Sequence, residues 1–201
     1  MLDFIENIDA EISMFINGLH CGMLDFLMFH ITRLYCSCVV YTVVILAFVA
    51  IKKQQCRKDV LLLVLAAIIV GVVIAAVIKP SVARLRPCNT AELQNIIHLV
   101  KGYCEKSFSF MSSHAATSFT VATFVHASLR NKYVSIMIFL WAFVYSYSRI
   151  YLGVHFFGDV LCGALFGILC GKITWNLHIL LFNKKLSAKR CIIIDKALNK
   201  R

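Results

Sequence analysis

Apolar residues along this chain fall into long runs separated by short basic stretches. About twenty apolar residues cross a bilayer. Five segments approach or exceed that length, over roughly 24–51, 60–78, 112–129, 133–152 and 156–175. The run from Val60 to Ile78 carries no charge, whereas the first contains Arg33 and is longer than a span requires. The third is the most polar, with Ser118, Thr120, Thr123 and His126. That composition suits a helix buried among others, where small and hydroxylated residues permit close approach. In the fifth, Gly163, Gly167 and Gly171 recur every four residues and predict a ridge packed against a neighbouring helix. Ahead of the spans, Leu2, Ile5, Ile8, Ile12, Phe15 and Ile16 recur at helical spacing, with Asp3, Glu6, Asp9 and Glu11 on other faces. Residues 1–20 therefore read as an interfacial helix.

The expected fold is all-α: a polytopic transmembrane helical bundle of about five to six spans with an N-terminal interfacial helix. It is read as one integral-membrane domain over 1–201, with its core at 24–182, a loop at 79–111 and a basic tail at 183–201. Composition agrees, since 60% of the 201 residues are hydrophobic and the excess lies in runs. The net charge of +11 does not indicate nucleic acid, because the basic residues flank apolar segments and form no stripe with interleaved aromatics. No cleavable signal peptide is visible: the first twenty residues hold four acids and no Lys or Arg.

Loop charge sets the orientation. Lys52, Lys53, Arg57 and Lys58 follow the first span, Arg130 and Lys132 the third, and Lys184, Lys185, Lys189, Arg190, Lys196, Lys200 and Arg201 the fifth. With five spans these clusters share one side, which the positive-inside tendency makes cytoplasmic, together with the C-terminus. The 79–111 loop and the 149–156 turn then lie outside.

Candidate chemistry collects at those outer ends. Lys79, Arg86 and Arg149 are fixed cations able to hold a phosphate, the guanidiniums bidentately. Ser112 and Ser113 stand where a helix should begin, where hydroxyls cap and free backbone N–H groups bind anions. His114 and His155 titrate near neutral pH, so one ring can attack phosphorus while the other gives a proton to the leaving oxygen. Asp159 follows His155 by four residues and can orient it. Gly153 permits a turn that brings Arg149 and His155 around one ligand. Arg84 is assigned to the fold or to a lipid headgroup, His126 and His178 to packing or the interface, and His98 to solvent. The nine cysteines include no Cys-x-x-Cys pair, and no metal site or cofactor is expected.

The pattern Lys79-x6-Arg86-Pro87, then Ser112-x-His114, then Ser148-Arg149-x5-His155-x3-Asp159 resembles the type 2 phosphatidic acid phosphatase superfamily, in its membrane branch. The resemblance implies a metal-independent lipid phosphatase. His155 would be the nucleophile that forms a phosphohistidine, and Asp159 would orient it. His114 would protonate the leaving group and then activate water. Lys79, Arg86, Ser112, Arg149 and the backbone N–H of Ser113 would hold the phosphate. One departure stands out: the family's Pro-Ser-Gly-His reads Met111-Ser112-Ser113-His114 here.

The implied substrate is a lipid bearing a terminal phosphate or diphosphate, met at the periplasmic face of a bacterial inner membrane. Lipid A is placed first, ahead of undecaprenyl diphosphate and then phosphatidylglycerophosphate or phosphatidate. A catalytically silent lipid-binding membrane protein is the alternative of another class. Cys88 and Cys104 share the outer loop, where an oxidising compartment would let them form a disulfide or leave them as free thiols.

Overall fold

A computed structural model describes residues 2–52 and 56–182. The expected basic tail at 183–201 and Lys53 lie outside the described residues. The chain forms helices α1 (Leu2–Gly18), α2 (Gly22–Ile31), α3 (Leu34–Lys52), α4 (Cys56–Val73), a π turn (Ile74–Ile78), α5 (Lys79–Val82), α6 (Ser113–Leu129), α7 (Lys132–Tyr151) and α8 (Phe157–Phe182). Among the described residues there is no strand.

Local chemistry sets the boundaries. The Ser112 hydroxyl accepts from Ala115 N and opens α6. Arg130, in the left-handed region at φ 52°, closes it. The Asn131 side chain at once accepts from Tyr133 N and Val134 N to start α7, so α6 and α7 are joined by a minimal turn. Gly153, at φ +68°, turns the chain from α7 into α8; a Cβ there would lie 2.5 Å from Ile97 Cδ1.

Helix α6 is enclosed, with Ala115, Ala116, Val121, Ala122, Phe124 and Val125 all buried. The expected glycine ridge of α8 is its closest partner. A Cβ at Gly163 would sit 2.6 Å from Ser112 O, one at Gly171 2.6 Å from Thr123 Cβ, and one at Gly167 closer still to Ala116 O. Thr120 Oγ1 donates to Gly167 O across the same seam. Leu61, Ile68, Ile69 and Val72 of α4, Ile136, Met137, Leu140 and Phe143 of α7, and Leu161, Leu165 and Leu169 of α8 point outward. This apolar coat is what a lipid solvent requires. Segments Lys58–Val82, Lys132–Tyr151 and Phe157–Phe182 are long and apolar enough to cross a membrane.

Two expectations need correction. The predicted first span at 24–51 is two helices, α2 and α3, broken at Thr32 and Arg33. The break has partners: Thr32 accepts from Arg149, and the Arg33 guanidinium lies 4.2 Å from the Phe29 ring centroid. In α1 the inward face is polar. Asp9, Ser13 and Asn17 are buried at four-residue spacing, while Phe4, Ile8 and Phe15 face out. Segments Glu6–Gly18 and Gly22–Ile31 meet at 114° and together are long and apolar enough for one broken span or a re-entrant hairpin.

The two ends of the bundle differ in chemistry. At one end Asp59 of α4, Ser128 of α6 and His178 of α8 meet. His178 was expected at a packing or interfacial position; it is buried, contacts the Asp59 carboxylate and stacks on Trp175. His126 does pack, with Nδ1 2.9 Å from Ser135 Oγ of α7. At the other end lie the close of the α4–α5 helix, the start of α6, the close of α7 and the start of α8.

Candidate active site

That second end brings every candidate residue into one region. The π turn immediately precedes Lys79, whose side chain is buried and whose Nζ donates to Phe108 O at 2.7 Å. Arg86 is 1% exposed and uses all its nitrogens: Nε to Ser107 O, Nη1 to Val154 O, and Nη2 to Ser107 Oγ and Glu105 Oε2, all within 2.7–2.9 Å. Arg149 is fully buried; its Nη1 donates to Thr32 Oγ1 and Tyr103 OH, and its Nη2 contacts Glu105 Oε1. Its Nε is a buried donor with no partner among the described residues.

The histidines face this cationic seat. Nε2 of His155 lies 3.1 Å from Arg86 Nη1. Nδ1 of His155 lies 3.5 Å from Asp159 Oδ2 and 3.4 Å from Ser109 Oγ. The expected aspartate partner is therefore near but beyond good hydrogen-bond length, and the Ser109 hydroxyl donates to the same Asp159 oxygen from between them. Asp159 Oδ2 also accepts from Phe156 N at 3.0 Å, and Oδ1 accepts from Arg84 at 2.8 Å. Burial first, then the Arg86, Arg149 and Lys79 charges, hold the His155 imidazole well below its ordinary pKa. Its ring is thus neutral, with the electron pair of Nε2 facing Arg86 Nη1, and a neutral ring is the form a nucleophile needs. His114 opens α6 beside Tyr145, 5.2 Å between ring centroids. Ser112 is buried, donates its N–H to Asp159 O at 3.0 Å and caps α6. Ser113, the first residue of α6, lines a cavity of about 360 Å³ that opens onto Lys79 and Arg86. A hollow of about 490 Å³ beside Glu6, Glu92 and Phe156 is bordered by none of the candidates.

Residues 60–182, a stretch that includes Lys79, Arg86, His114, Arg149, His155 and Asp159, match the PAP2 superfamily. The chain belongs to the PAP2 superfamily. Over 173 residues it is 33% identical to the lipid A 4'-phosphatase of Bacteroides thetaiotaomicron, covering 83% of this chain and 75% of that one. Over 192 residues it is 26% identical to the lipid A 4'-phosphatase of Porphyromonas gingivalis, covering 93% and 80%. Its fold superposes on the crystal structure of Aquifex aeolicus LpxE with a TM-score of 0.66 at 30% identity, covering 83% of this chain and 93% of that one. The protein is a phosphoric-ester hydrolase of the PAP2 superfamily, built as a membrane helical bundle.

Several residues of this candidate site in the PAP2 chain carry no motif in the sequence. Glu105 spans Arg86 and Arg149, and Tyr103 OH donates to it at 2.7 Å. Ser109 sits between His155 and Asp159. Arg84, assigned to the fold or a headgroup, bridges Asp159 to Asp9 of α1, both at 2.8 Å, and lies over the Phe156 ring. Asp9 in turn accepts from Gly158 N, so α1 braces the start of α8. His98, expected in solvent, bonds Asp25 at 2.9 Å, donates its backbone N–H to Asn17 Oδ1 and stacks on His20. The available signal for Glu105 was position: it is one of two acids in the 79–111 loop and follows Cys104 directly. Cys88 and Cys104 are joined as a disulfide, with Cα atoms 6.0 Å apart.

Proposed function

We propose that this protein removes a phosphate monoester from lipid A, the 4'-phosphate, through a phosphohistidine on His155 at the periplasmic face of a bacterial inner membrane. The observation that carries the reading is the neutral His155 Nε2 beside the Lys79, Arg86 and Arg149 seat. Similarity to two lipid A 4'-phosphatases supports the choice of lipid. The Cys88–Cys104 disulfide supports the oxidising side of the membrane.

The chemistry runs in two steps. Phosphate takes the donors of Arg86, Arg149, Lys79 and the α6 N-terminus, which spread its developing charge. His155 Nε2 attacks phosphorus in line with the sugar oxygen; the N–P bond forms as the P–O bond breaks. His114, which takes up a proton when the phosphate dianion is seated beside it, gives that proton to the departing oxygen and is left neutral. It then takes a proton from water, whose oxygen attacks phosphorus and breaks the N–P bond. Inorganic phosphate leaves and both rings return to their starting states. Asp159, with Ser109, steadies the imidazole that becomes cationic during transfer.

The test is phosphate release by purified protein from lipid A, undecaprenyl diphosphate, phosphatidylglycerophosphate and phosphatidate. Lipid A is expected to be the best substrate, and His155→Ala to be inactive while still folded. Preference for another lipid overturns the substrate. Turnover by His155→Ala near the native rate overturns the nucleophile. Absence of turnover on all four returns the reading to a silent lipid-binding protein.

A further inference from the structure

The Glu105 carboxylate sits where a substrate phosphate is to be held. Its Oε2 is 2.7 Å from Arg86 Nη2, and its Oε1 contacts Arg149 Nη2. It thereby joins, in bidentate fashion, the two guanidiniums, one from the 79–111 loop and one from α7. Tyr103 OH fixes Oε1, and Asn89 donates to Glu105 O at 3.0 Å. The preceding residue is disulfide-bonded Cys104. Glu105 also lines the cavity leading to Lys79 and Arg86, so an arriving headgroup meets it.

From this geometry we infer that Glu105 is a resident anion that the substrate phosphate must displace, and that this competition selects terminal phosphates over diesters. The inference rests on the phosphatase reading above. The charge argument decides the direction. A carboxylate carries one negative charge and two acceptor oxygens. A phosphodiester also carries one charge and two free oxygens, so it gains nothing by exchange for a tethered carboxylate. Tethering makes the carboxylate equivalent to a competitor at roughly millimolar concentration or above. A terminal phosphate carries about −1.5 to −2 at neutral pH and three acceptor oxygens. It therefore gains charge at both arginines and offers a further oxygen to donors such as Arg149 Nε, which is buried and without a partner among the described residues. The Glu105 side chain is 30% exposed, against 1% for Arg86 and 0% for Arg149, so it is the member with room to swing out.

The test is calorimetric binding of inorganic phosphate at neutral pH to full-length protein in detergent, comparing wild type with Glu105→Gln and Tyr103→Phe. Glu105→Gln keeps the shape and removes the competing charge; its phosphate Kd is expected to fall about tenfold or more, since 1.4 kcal/mol is one decade. Tyr103→Phe loosens the carboxylate and should shift Kd the same way by less, which keeps the test available if Glu105→Gln does not fold. Turnover ratios complete it: the preference for p-nitrophenyl phosphate over bis(p-nitrophenyl) phosphate should shrink in Glu105→Gln. Unchanged or weaker phosphate binding in the variants overturns the inference and makes Glu105 a strut that only holds the arginines. Because binding is read without turnover, a protein inactive on every lipid would sink the phosphatase reading and leave this comparison to be judged separately.

Discussion

Arg86 Nη1 stands 3.1 Å from Nε2 of His155, which fixes the proton on the opposite ring nitrogen. Guanidinium nitrogens only donate, so Nε2 accepts and Nδ1 carries the hydrogen toward Ser109 and Asp159. In the proposed reaction the attacking electron pair is thus held by a donor that the phosphate would have to draw away. In that reaction Arg86 would serve both states: it would guard the lone pair in the free site and move to phosphate oxygen in the complex.

Arg86→Lys is therefore expected to damage the transition state and not only binding. A lysine keeps the charge but loses the fork that reaches Ser107, Val154, Glu105 and His155 together. Removing one fixed donor to a developing oxyanion costs about 10²–10³ in kcat. Steady-state kinetics on a soluble phosphate monoester should show a kcat loss of that size. A change confined to KM would place Arg86 in ground-state binding alone.

Ser109→Ala isolates the hydroxyl between His155 and Asp159. Asp159 keeps its bonds from Phe156 N and Arg84 in the variant, so the helix start should remain in place. What is lost is the support that the proposed reaction asks of Ser109 for the Nδ1–H as the imidazole becomes cationic. The expected result is a kcat about tenfold lower, equivalent to about 1.4 kcal/mol, with KM near native and with Ser109→Thr partly restored. Native kcat in Ser109→Ala would leave Asp159 to orient the ring by itself.

Much of the fold was legible because a bilayer imposes length and apolarity on each helix. The α4, α6, α7 and α8 positions follow from apolar runs, and the Gly163–Gly167–Gly171 seam follows from four-residue spacing. The break at Thr32 and Arg33 was hidden, because its cause is a partner far along the chain, Arg149. The inward polar stripe of α1 was hidden for a similar reason. Hydropathy alone cannot tell a helix whose polar face meets water from one whose polar face meets Arg84 and Gly158. The motif-bearing residues of the candidate site could be named from spacing, whereas Glu105, Ser109 and Tyr103 sit in irregular loop and carry no periodic signal.

Acid should weaken the fold in a window set by His155. Its folded pKa is lowered from 6.5, so above about pH 6.5 the ring is neutral both folded and unfolded and contributes no pH dependence. Below that, the unfolded ring takes a proton that the folded ring refuses, and stability falls as pH drops, by up to about 1.4 kcal/mol per pH unit. Glu105 acts lower on the scale. Burial tends to raise its pKa, but Arg149 and Arg86 outweigh this and hold the carboxyl far below the ordinary range. Its contribution is present above the unfolded carboxyl pKa of 4.5 and is lost as pH falls through and below it. Thermal melts in detergent between pH 7 and pH 5 should show a shallower decline for His155→Asn than for wild type. Parallel curves would mean that the ring charges freely in the folded protein.

The Cys88–Cys104 disulfide should matter to the site more than to the bundle. It closes a loop with a sequence separation of 16, and a loop of about that size is worth roughly 3 kcal/mol in the chain-entropy account. The loop it closes begins two residues after Arg86 and ends one residue before Glu105, so the constraint acts on both members of the Arg86–Glu105 pair. The α6–α8 seam, where Gly163, Gly167 and Gly171 meet α6, does not depend on it. The double variant Cys88→Ser/Cys104→Ser is therefore expected to keep its helix content by circular dichroism. Its melting temperature should fall by several degrees, and KM for a phosphate monoester should rise more than kcat falls. Reductant applied to wild type should reproduce these effects, since the other described cysteines with assigned states, Cys21, Cys36, Cys38, Cys162 and Cys170, are free thiols. Unchanged KM in the double variant would show that Tyr103, Asn89 and the arginines hold Glu105 in place without the covalent tie.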